Sequence, residues 1–205
     1  LVQVWNNGKP VFFLCCLLLA PLNWFVEISK WKKLTRPFHT LSWKQASESI
    51  LAGITLGLLT PSRLGEYGGR LLHVDAQFRA QTLFAHFMGS LAQNIPVFIF
   101  GGLCSLFFFS NHYFSNTTMS LGLSGIAWFF AGMLVILFSQ NKVLLHWLGG
   151  IKLIRRFTHK TTQWRYVKET LHEVAMLSVL RYLIFAGQYI LLLYFFDIDV
   201  SLAEA

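Results

Sequence analysis

The sequence predicts an all-α, polytopic helical membrane protein with one broken or re-entrant helix, and three observations carry that prediction. The 205 residues are 55% hydrophobic and 16% aromatic while only 13% are charged, far from the balance of an average soluble domain. The apolar residues come in runs long enough to cross a hydrocarbon core, which takes roughly 20 residues as a helix. The formal net charge of +8 is concentrated in the gaps between those runs, where cytoplasmic loops collect Lys and Arg. That placement argues against nucleic acid as a partner. The stretch 1–205 reads as a single transmembrane helical domain. Because it begins at Leu1 rather than Met and stops soon after an apolar run, it reads as a piece of a longer bundle, incomplete at both ends.

The first span covers Val11 to Ile28, with Pro21 in the middle and Asn23, Trp24 and Glu27 towards its end. The run continues past Val11–Ala20 with no small-residue cleavage site, so it is a span rather than a signal peptide. The loop Ser29–Lys44 follows with five basic residues and no acid, and Trp24, Trp31 and Trp43 flank it as an interfacial belt would. A long apolar run from Thr82 to Phe109, interrupted by Pro96, gives the next span. The uncharged connection Ser110–Thr118 is expected outside. Met119–Ser139 is a clean span. Gln140–Glu169 has seven basic residues against one acid, and within it Leu144, Leu145, Leu148, Ile151, Ile154 and Phe157 recur at the spacing of an amphipathic helix on the cytoplasmic leaflet. Thr170–Phe196 is the last span, interrupted by Glu173 and Arg181. Cys15, Cys16 and Cys104 lie in apolar runs and read as packing residues, not as a disulfide framework or metal site.

Between the first two long runs lies the stretch that departs from ordinary membrane helix. Ile50–Leu59 is too short to cross, carries Gly53 and Gly57 at a spacing that lets another helix come close, and runs into Pro61, two arginines, a glutamate and three glycines. Helices that break beside charge at membrane depth end in protein-lined cavities. If 46–60 crossed fully, the base-rich loop 140–169 would face outward; if it enters and returns, both base-rich loops are cytoplasmic. The re-entrant threading satisfies the charge rule.

If the chain is helical from Leu64, then Arg63, Glu66 and Arg70 share one face. Two bases around one acid leave net positive charge, and the planar guanidinium can give a phosphate two hydrogen bonds at once. Gly65, Gly68 and Gly69 allow close backbone approach to a head group. The same residues also read as a salt bridge pinning the break, and the pattern alone leaves both open. Glu27 and Glu173, near the ends of apolar runs, suit a structural or interfacial role as well as substrate contact. Arg181, deeper in the last span, needs a partner, for which an acid on another helix is the obvious choice. His86, Gln93 and Asn94 suit interhelical hydrogen bonding better than a cavity lining. No nucleophile sits beside a base, no His/Cys pair has metal spacing, and Gly65-Glu66-Tyr67-Gly68-Gly69 is not followed by the Gly-Lys-Ser/Thr of a nucleotide loop. The chain thus offers no catalytic residues, no metal site and no cofactor site.

Three stretches, Pro21-Leu-Asn-Trp-Phe-Val-Glu-Ile-Ser-Lys-Trp-Lys-Lys, Ser-Ile-Leu-Ala-Gly-Ile-Thr and Thr60-Pro-Ser-Arg-Leu-Gly-Glu-Tyr-Gly-Gly-Arg70, resemble the lysylphosphatidylglycerol synthase transmembrane region, a flippase-like family of polytopic membrane proteins. In the similar membrane half of the bacterial multiple peptide resistance factor, such a domain moves an aminoacylated phospholipid to the outer leaflet, while a separate soluble domain makes it. The family's pattern falls on Pro61, Gly65, Glu66 and Arg70, with Arg63 in a variable place, and Asn23 and Glu27 match polar positions of the earlier span. The resemblance implies head-group binding by Arg63, Glu66, Arg70, Asn23 and Glu27, a break shaped by Pro61, Gly53, Gly57, Gly65, Gly68 and Gly69, and a multi-pass place in the bacterial plasma (inner) membrane. Its expected partners are membrane lipids, an anionic or aminoacylated phospholipid, with a homo-oligomer admitted. The family's first helix, last few helices and aminoacyl-transferase domain have no counterpart here, which sets synthase activity aside. Two alternatives remain: the membrane part of a lipid-modifying transferase, and a non-transporting scaffold whose Gly53/Gly57 face binds another helix.

Overall fold

The computed structural model describes residues 10–72, 74–108, 117–140, 166–196 and 198. Regular structure among them is helical throughout: α1 (Pro10–Thr35), α2 (Trp43–Leu59), α3 (Gly65–Leu71), α4 (Arg79–Phe108), α5 (Thr117–Ser139) and α6 (Lys168–Phe195), with single 3-10 turns at Pro61–Arg63 and Ala76–Phe78. Four helical stretches are long and apolar enough to cross a membrane, Pro10–Thr35, Ala76–Leu106, Leu121–Ser139 and Lys168–Phe195. The chain is therefore an all-α, multi-pass membrane protein. Its many exposed apolar side chains, such as Leu18, Leu58, Phe129 and Phe185, are what a lipid-facing surface requires, since a bilayer rewards apolar exposure that water would penalise.

The chain folds as two compact units. The first comprises 1–26, 94–133 and 179–205, the second 27–93 and 134–178. In the first unit, α1 and α6 run antiparallel, with Phe12 against Tyr194 at 5.7 Å and Phe13 against Phe195 at 5.3 Å between ring centroids. There α4 packs on α5 through Phe98 and Phe130 and through Gly102, whose missing side chain makes room for Trp128. In the second unit, Tyr166 donates its hydroxyl to the Leu34 carbonyl at 2.7 Å and stacks on Phe84. Burial pushes that hydroxyl well above the usual tyrosine range, so it stays a donor.

Helix α1 outruns its expected end by seven residues because Ser29–Thr35 continue the helix, leaving only a short connection before α2. Two expectations fall with that extension. Lys30 is a buried side chain rather than a solvated loop base, and Trp31, with none of its surface exposed, belongs to the core rather than to an interfacial belt; Trp24 and Trp43 stay exposed. Helix α4 continues through Pro96 as α1 does through Pro21, which membrane helices tolerate where neighbours satisfy the freed carbonyl. The amphipathic pattern at 144–157 and most of the connection 110–118 lie outside the described residues.

Helices α2 and α3 form a hairpin. Ser42 caps α2 by accepting from the Gln45 amide at 3.2 Å while Gln45 Oε1 accepts from the Ser42 amide at 3.0 Å, a reciprocal pair that fixes the helix start. Pro61 has no amide to continue the ladder, and Thr60 joins the two arms: its hydroxyl donates to the Leu56 carbonyl at 2.9 Å and accepts from the Gly65 amide at 2.7 Å. Ser62 and Arg63 make the reversal in the left-handed region, with φ of 55° and 57°. The chain then returns so close to α2 that a Cβ on Gly65 would strike the Leu56 carbonyl, and one on Gly69 would strike the Ala52 carbonyl and sit 2.6 Å from the Gly53 Cα. After the short Ala76–Phe78 turn, Phe78 packs on Phe38 and His39, which lie just before α2 begins. The segment thus leaves and returns at the same end, as the basic-residue rule requires if both base-rich stretches are to be cytoplasmic.

Two outcomes test this hairpin. In a chain freed of its three cysteines, single cysteines at Lys44 and Gln77 should react with an impermeant maleimide from the same side of sealed vesicles; labelling from opposite sides would show a full crossing. Gly69→Ala should lower the thermal midpoint of the purified protein by an amount typical of forced overpacking, about 1–3 kcal/mol, whereas Gly68→Ala, whose Cβ would meet nothing within 4 Å, should leave it unchanged or slightly raised.

Candidate functional site

The site grows from one carboxylate. Glu27 lies on α1 with 5% of its surface exposed, and burying an ionised carboxylate costs several kcal/mol unless charge and hydrogen bonds return it. Each of its oxygens has a cation. Lys30, one turn further along the same helix, holds Oε2 at 2.7 Å, and Arg70 of α3 holds Oε1 through Nη2 at 2.9 Å. Lys30 reaches on to Gln93 Oε1 of α4 at 3.2 Å. Arg70 Nη2 also bonds Glu66 Oε1, one helical turn back on α3, at 2.8 Å. Three elements of the second unit therefore meet at two buried cations.

Arg70 is further clamped by apolar and main-chain contacts. Its guanidinium carbon sits 4.6 Å from the centre of the Trp31 ring, a cation–π geometry that favours a desolvated Arg. Its main-chain carbonyl accepts from Ser49 Oγ of α2 at 3.3 Å. Next to it, His86 packs edge-on against Tyr67 with 4.2 Å between ring centroids and lies 6.4 Å from Trp31. Both carboxylates hang on one nitrogen of Arg70. Arg70 Nε and Trp31 Nε1 are buried donors with no hydrogen-bond partner among the described residues, a state that costs about 1–3 kcal/mol for each such group.

Exposure grades across the cluster. Glu27, Lys30 and Arg70 are buried, the Glu66 side chain keeps 17% of its surface, and the Arg63 side chain keeps 66%. Arg63 Nε stands 3.8 Å from Glu66 Oε2. The two acids and two bases of the inner network cancel, so the excess positive charge rests on Arg63 at the accessible edge. Chemically, the arrangement offers a guanidinium with an unused donor, a partly accessible carboxylate and an exposed second guanidinium in sequence from inside to outside.

The structure brings together Glu27, Glu66 and Arg70 of the residues singled out in the sequence, with Arg63 at their rim. Asn23 falls in the first unit, where it accepts from Arg181 Nε at 2.9 Å and faces Gln188. Arg181 Nε is thus held by an amide oxygen of α1. Gly65 and Gly69 serve the contact with α2 rather than the approach of a head group, and Gly68 alone among the three has open space over it. Gly53 and Gly57 face α3, with Arg70 Cγ at 3.1 Å and Glu66 Cβ at 3.4 Å from their would-be Cβ positions; the helix that the Gly53/Gly57 face accepts comes from the same chain. Glu173 pairs with Lys33 at 2.6 Å in an exposed bridge. Of the polar residues on α4, Gln93 and His86 pack inward as interhelical partners, while Asn94 is exposed.

Gln93 meets the expectation of an interhelical partner, whereas Lys30 and Trp31 were not anticipated as members of the network. The signal for Lys30 was present in its spacing of three from Glu27, which on a helix makes an ion pair, but Lys30 was counted with the loop. Trp31 left no comparable mark, because which face of α1 turns inward depends on where Arg70 arrives.

Glu27→Gln should lower stability by about 3–5 kcal/mol, since it strands two buried cations without their shared anion. Lys33→Met, which opens only the exposed bridge to Glu173, should leave the thermal midpoint at its wild-type value. Equal midpoints for Glu27→Gln and wild type would show that the network is not charged as drawn.

The family described as "Lysylphosphatidylglycerol synthase TM region" matches residues 1–205. No curated protein and no solved structure matches the chain.

Proposed function

We propose that this chain, which belongs to the lysylphosphatidylglycerol synthase transmembrane-region family, binds the head group of a phospholipid beside its re-entrant hairpin and carries it across the bilayer. The observation that carries the reading is the Glu66–Arg70–Glu27–Lys30 network: a charge-balanced cluster, buried at one end and accessible at the other, that joins the short helix α3 to the spanning helix α1.

The chemistry is an exchange of anions. A lipid phosphate approaching from the Arg63 edge can replace the Glu66 carboxylate on Arg70, and because one anion replaces another the inner network stays balanced. Arg supplies the planar donor fork that suits a phosphate, and the unpartnered Nε gives the phosphate a donor that the two carboxylates leave unused. Glu66, released, is then available to Arg63 or to a cationic amine on the head group. A head group carrying both phosphate and amine, as an aminoacylated phospholipid does, satisfies both. An anionic phospholipid uses the Arg70 half alone. Glu27 and Lys30 hold Arg70 in place and do not leave their burial. On this reading the protein works in the bacterial plasma (inner) membrane, and its partner is the lipid.

The test is leaflet-resolved labelling of aminoacylated and unmodified phospholipids in cells carrying the full-length protein. Glu66→Gln and Arg70→Lys, the second of which keeps the charge but loses the planar fork, should each lower the outer-leaflet share of one lipid at unchanged protein level. A lipid distribution that neither variant shifts would remove the translocation reading.

A further inference from the structure

Three buried side-chain atoms find no hydrogen-bond partner among the described residues, Arg70 Nε, Trp31 Nε1 and Ser178 Oγ, and the first two belong to one stack. The Arg70 guanidinium carbon lies 4.6 Å from the centre of the Trp31 ring. Nε is one bond from that carbon and Nε1 is an atom of that ring, so the two unmet donors are close neighbours. Both side chains are deeply buried, Trp31 with none of its surface exposed and Arg70 with 3%. The large majority of buried side-chain polar atoms are paired, so two orphans side by side point to a partner from outside the chain.

Both orphans are donors, which restricts what can satisfy them. A water molecule would accept from both but would bring two hydrogens that need acceptors of their own. The nearest carboxylate oxygens are already engaged: Glu27 Oε2 by Lys30, and Glu27 Oε1 and Glu66 Oε1 by Arg70. An anionic oxygen brings lone pairs and no hydrogen. Neither carboxylate of the cluster supplies it, since both meet Arg70 at Nη2 and leave Nε and the indole unmet. A phosphate differs in shape. Its tetrahedral oxygens diverge where the two of a carboxylate share a plane, so one can hold Nη2 while another turns to Nε and the indole.

We propose that the Trp31 indole is a phosphate-binding donor: when a lipid phosphate takes the place of Glu66 on Arg70, one of its non-bridging oxygens accepts from Trp31 Nε1 together with Arg70 Nε. This rests on the head-group reading and adds to it the residue that sets its preference. Trp31 serves twice, its face holding the guanidinium by the cation–π contact and its edge touching the ligand. A ligand that binds through a carboxylate replaces Glu66 like for like and leaves the indole unmet, whereas a phosphate satisfies it. Charge alone does not make that distinction; a buried neutral donor beside the guanidinium does.

The full-length chain in detergent, labelled with heavy nitrogen at its tryptophan indoles and arginine side chains, is titrated with short-chain phosphatidylglycerol and, in a second arm, with inorganic phosphate; nuclear magnetic resonance follows the N–H signals and calorimetry gives the affinity. Of the 7 tryptophans, Trp31 gives the indole signal that Trp31→Phe removes; should that variant not fold, single phenylalanine replacements of the others assign it by elimination. Bound lipid should move the Trp31 indole proton downfield, with the Arg70 Nε signal moving in step, a response that a purely packing role would not produce. Trp31→Phe, which keeps an aromatic face for Arg70, should weaken lipid binding about tenfold or more, the worth of a hydrogen bond to a charged group. A shift with both probes assigns recognition to the phosphate itself, and a shift with the lipid alone to a phosphate carried by a lipid; a shift with inorganic phosphate alone overturns the lipid as ligand. Lipid that binds and moves Arg70 but leaves the Trp31 signal in place overturns the indole donor while the head-group reading stands, and so does wild-type affinity in a folded Trp31→Phe. Lipid that moves neither signal removes the head-group reading at Arg70 and the indole donor with it.

Discussion

A carboxylate held on a membrane helix with one-twentieth of its surface exposed sets the terms for the second unit. Glu27 cannot keep its charge at that depth without cations of equal depth, and cations there cannot be kept without it. Lys30 meets the requirement locally, one turn along the same helix. Arg70 meets it from 43 residues further on, which is possible only because α3 turns back instead of crossing. The hairpin is in this sense a delivery device for one guanidinium. Trp31 beneath it, Gln93 behind Lys30 and Ser49 on the Arg70 carbonyl are the partners that the two buried cations collect once they are in place.

That delivery explains the glycines better than ligand approach does. Between membrane helices the hydrophobic effect supplies little attraction, since lipid is as apolar as leucine, and association depends on close backbone contact and polar pairing. Gly65 and Gly69 put the α3 backbone against the carbonyls of Leu56 and Ala52, and Gly53 leaves room for the stem of Arg70. The turn itself uses no glycine. Ser62 and Arg63 adopt the left-handed conformation at a cost of order 1–3 kcal/mol each, a strain the surrounding contacts of Thr60 and the glycine register hold in place.

What the sequence disclosed and what it withheld divide along the range of the interactions. The four spans were legible because apolar length is a local property, and the hairpin was legible because Ile50–Leu59 is too short to cross and ends at Pro61. The pairing of Glu66 with Arg70 was legible from a spacing of four. Lys30 and Trp31 were misjudged because the end of a membrane helix is not marked by hydropathy when the helix continues into protein: a lysine there looks like a loop lysine until its acid is found. The link from Glu27 to Arg70 was out of reach, since no local pattern says which of several bases will arrive at a given acid. The bond from Arg181 Nε to the buried Asn23 amide oxygen was equally out of reach, since no local pattern links positions 158 residues apart.

The way the hairpin is held also bears on what could move it. In its contact with α2, the α3 backbone at Gly65 and Gly69 lies against the carbonyls of Leu56 and Ala52, and the stems of Arg70 and Glu66 fill the space left by Gly53 and Gly57. It is tied to α1 through Arg70, whose guanidinium lies over Trp31 and whose Nη2 is shared by two carboxylates, Glu27 of α1, buried, and Glu66 of α3, partly accessible. Of those two bonds, only the one to Glu66 lies within reach of a ligand, and breaking it leaves the Glu27 bond and the cation–π contact in place. A ligand that took the place of Glu66 would therefore change what α3 carries on its outer face without cutting the hairpin loose. On the proposed reading, head-group binding acts on α3 through that one shared nitrogen, exchanging its outer anion while Glu27 and Trp31 keep Arg70 where it is.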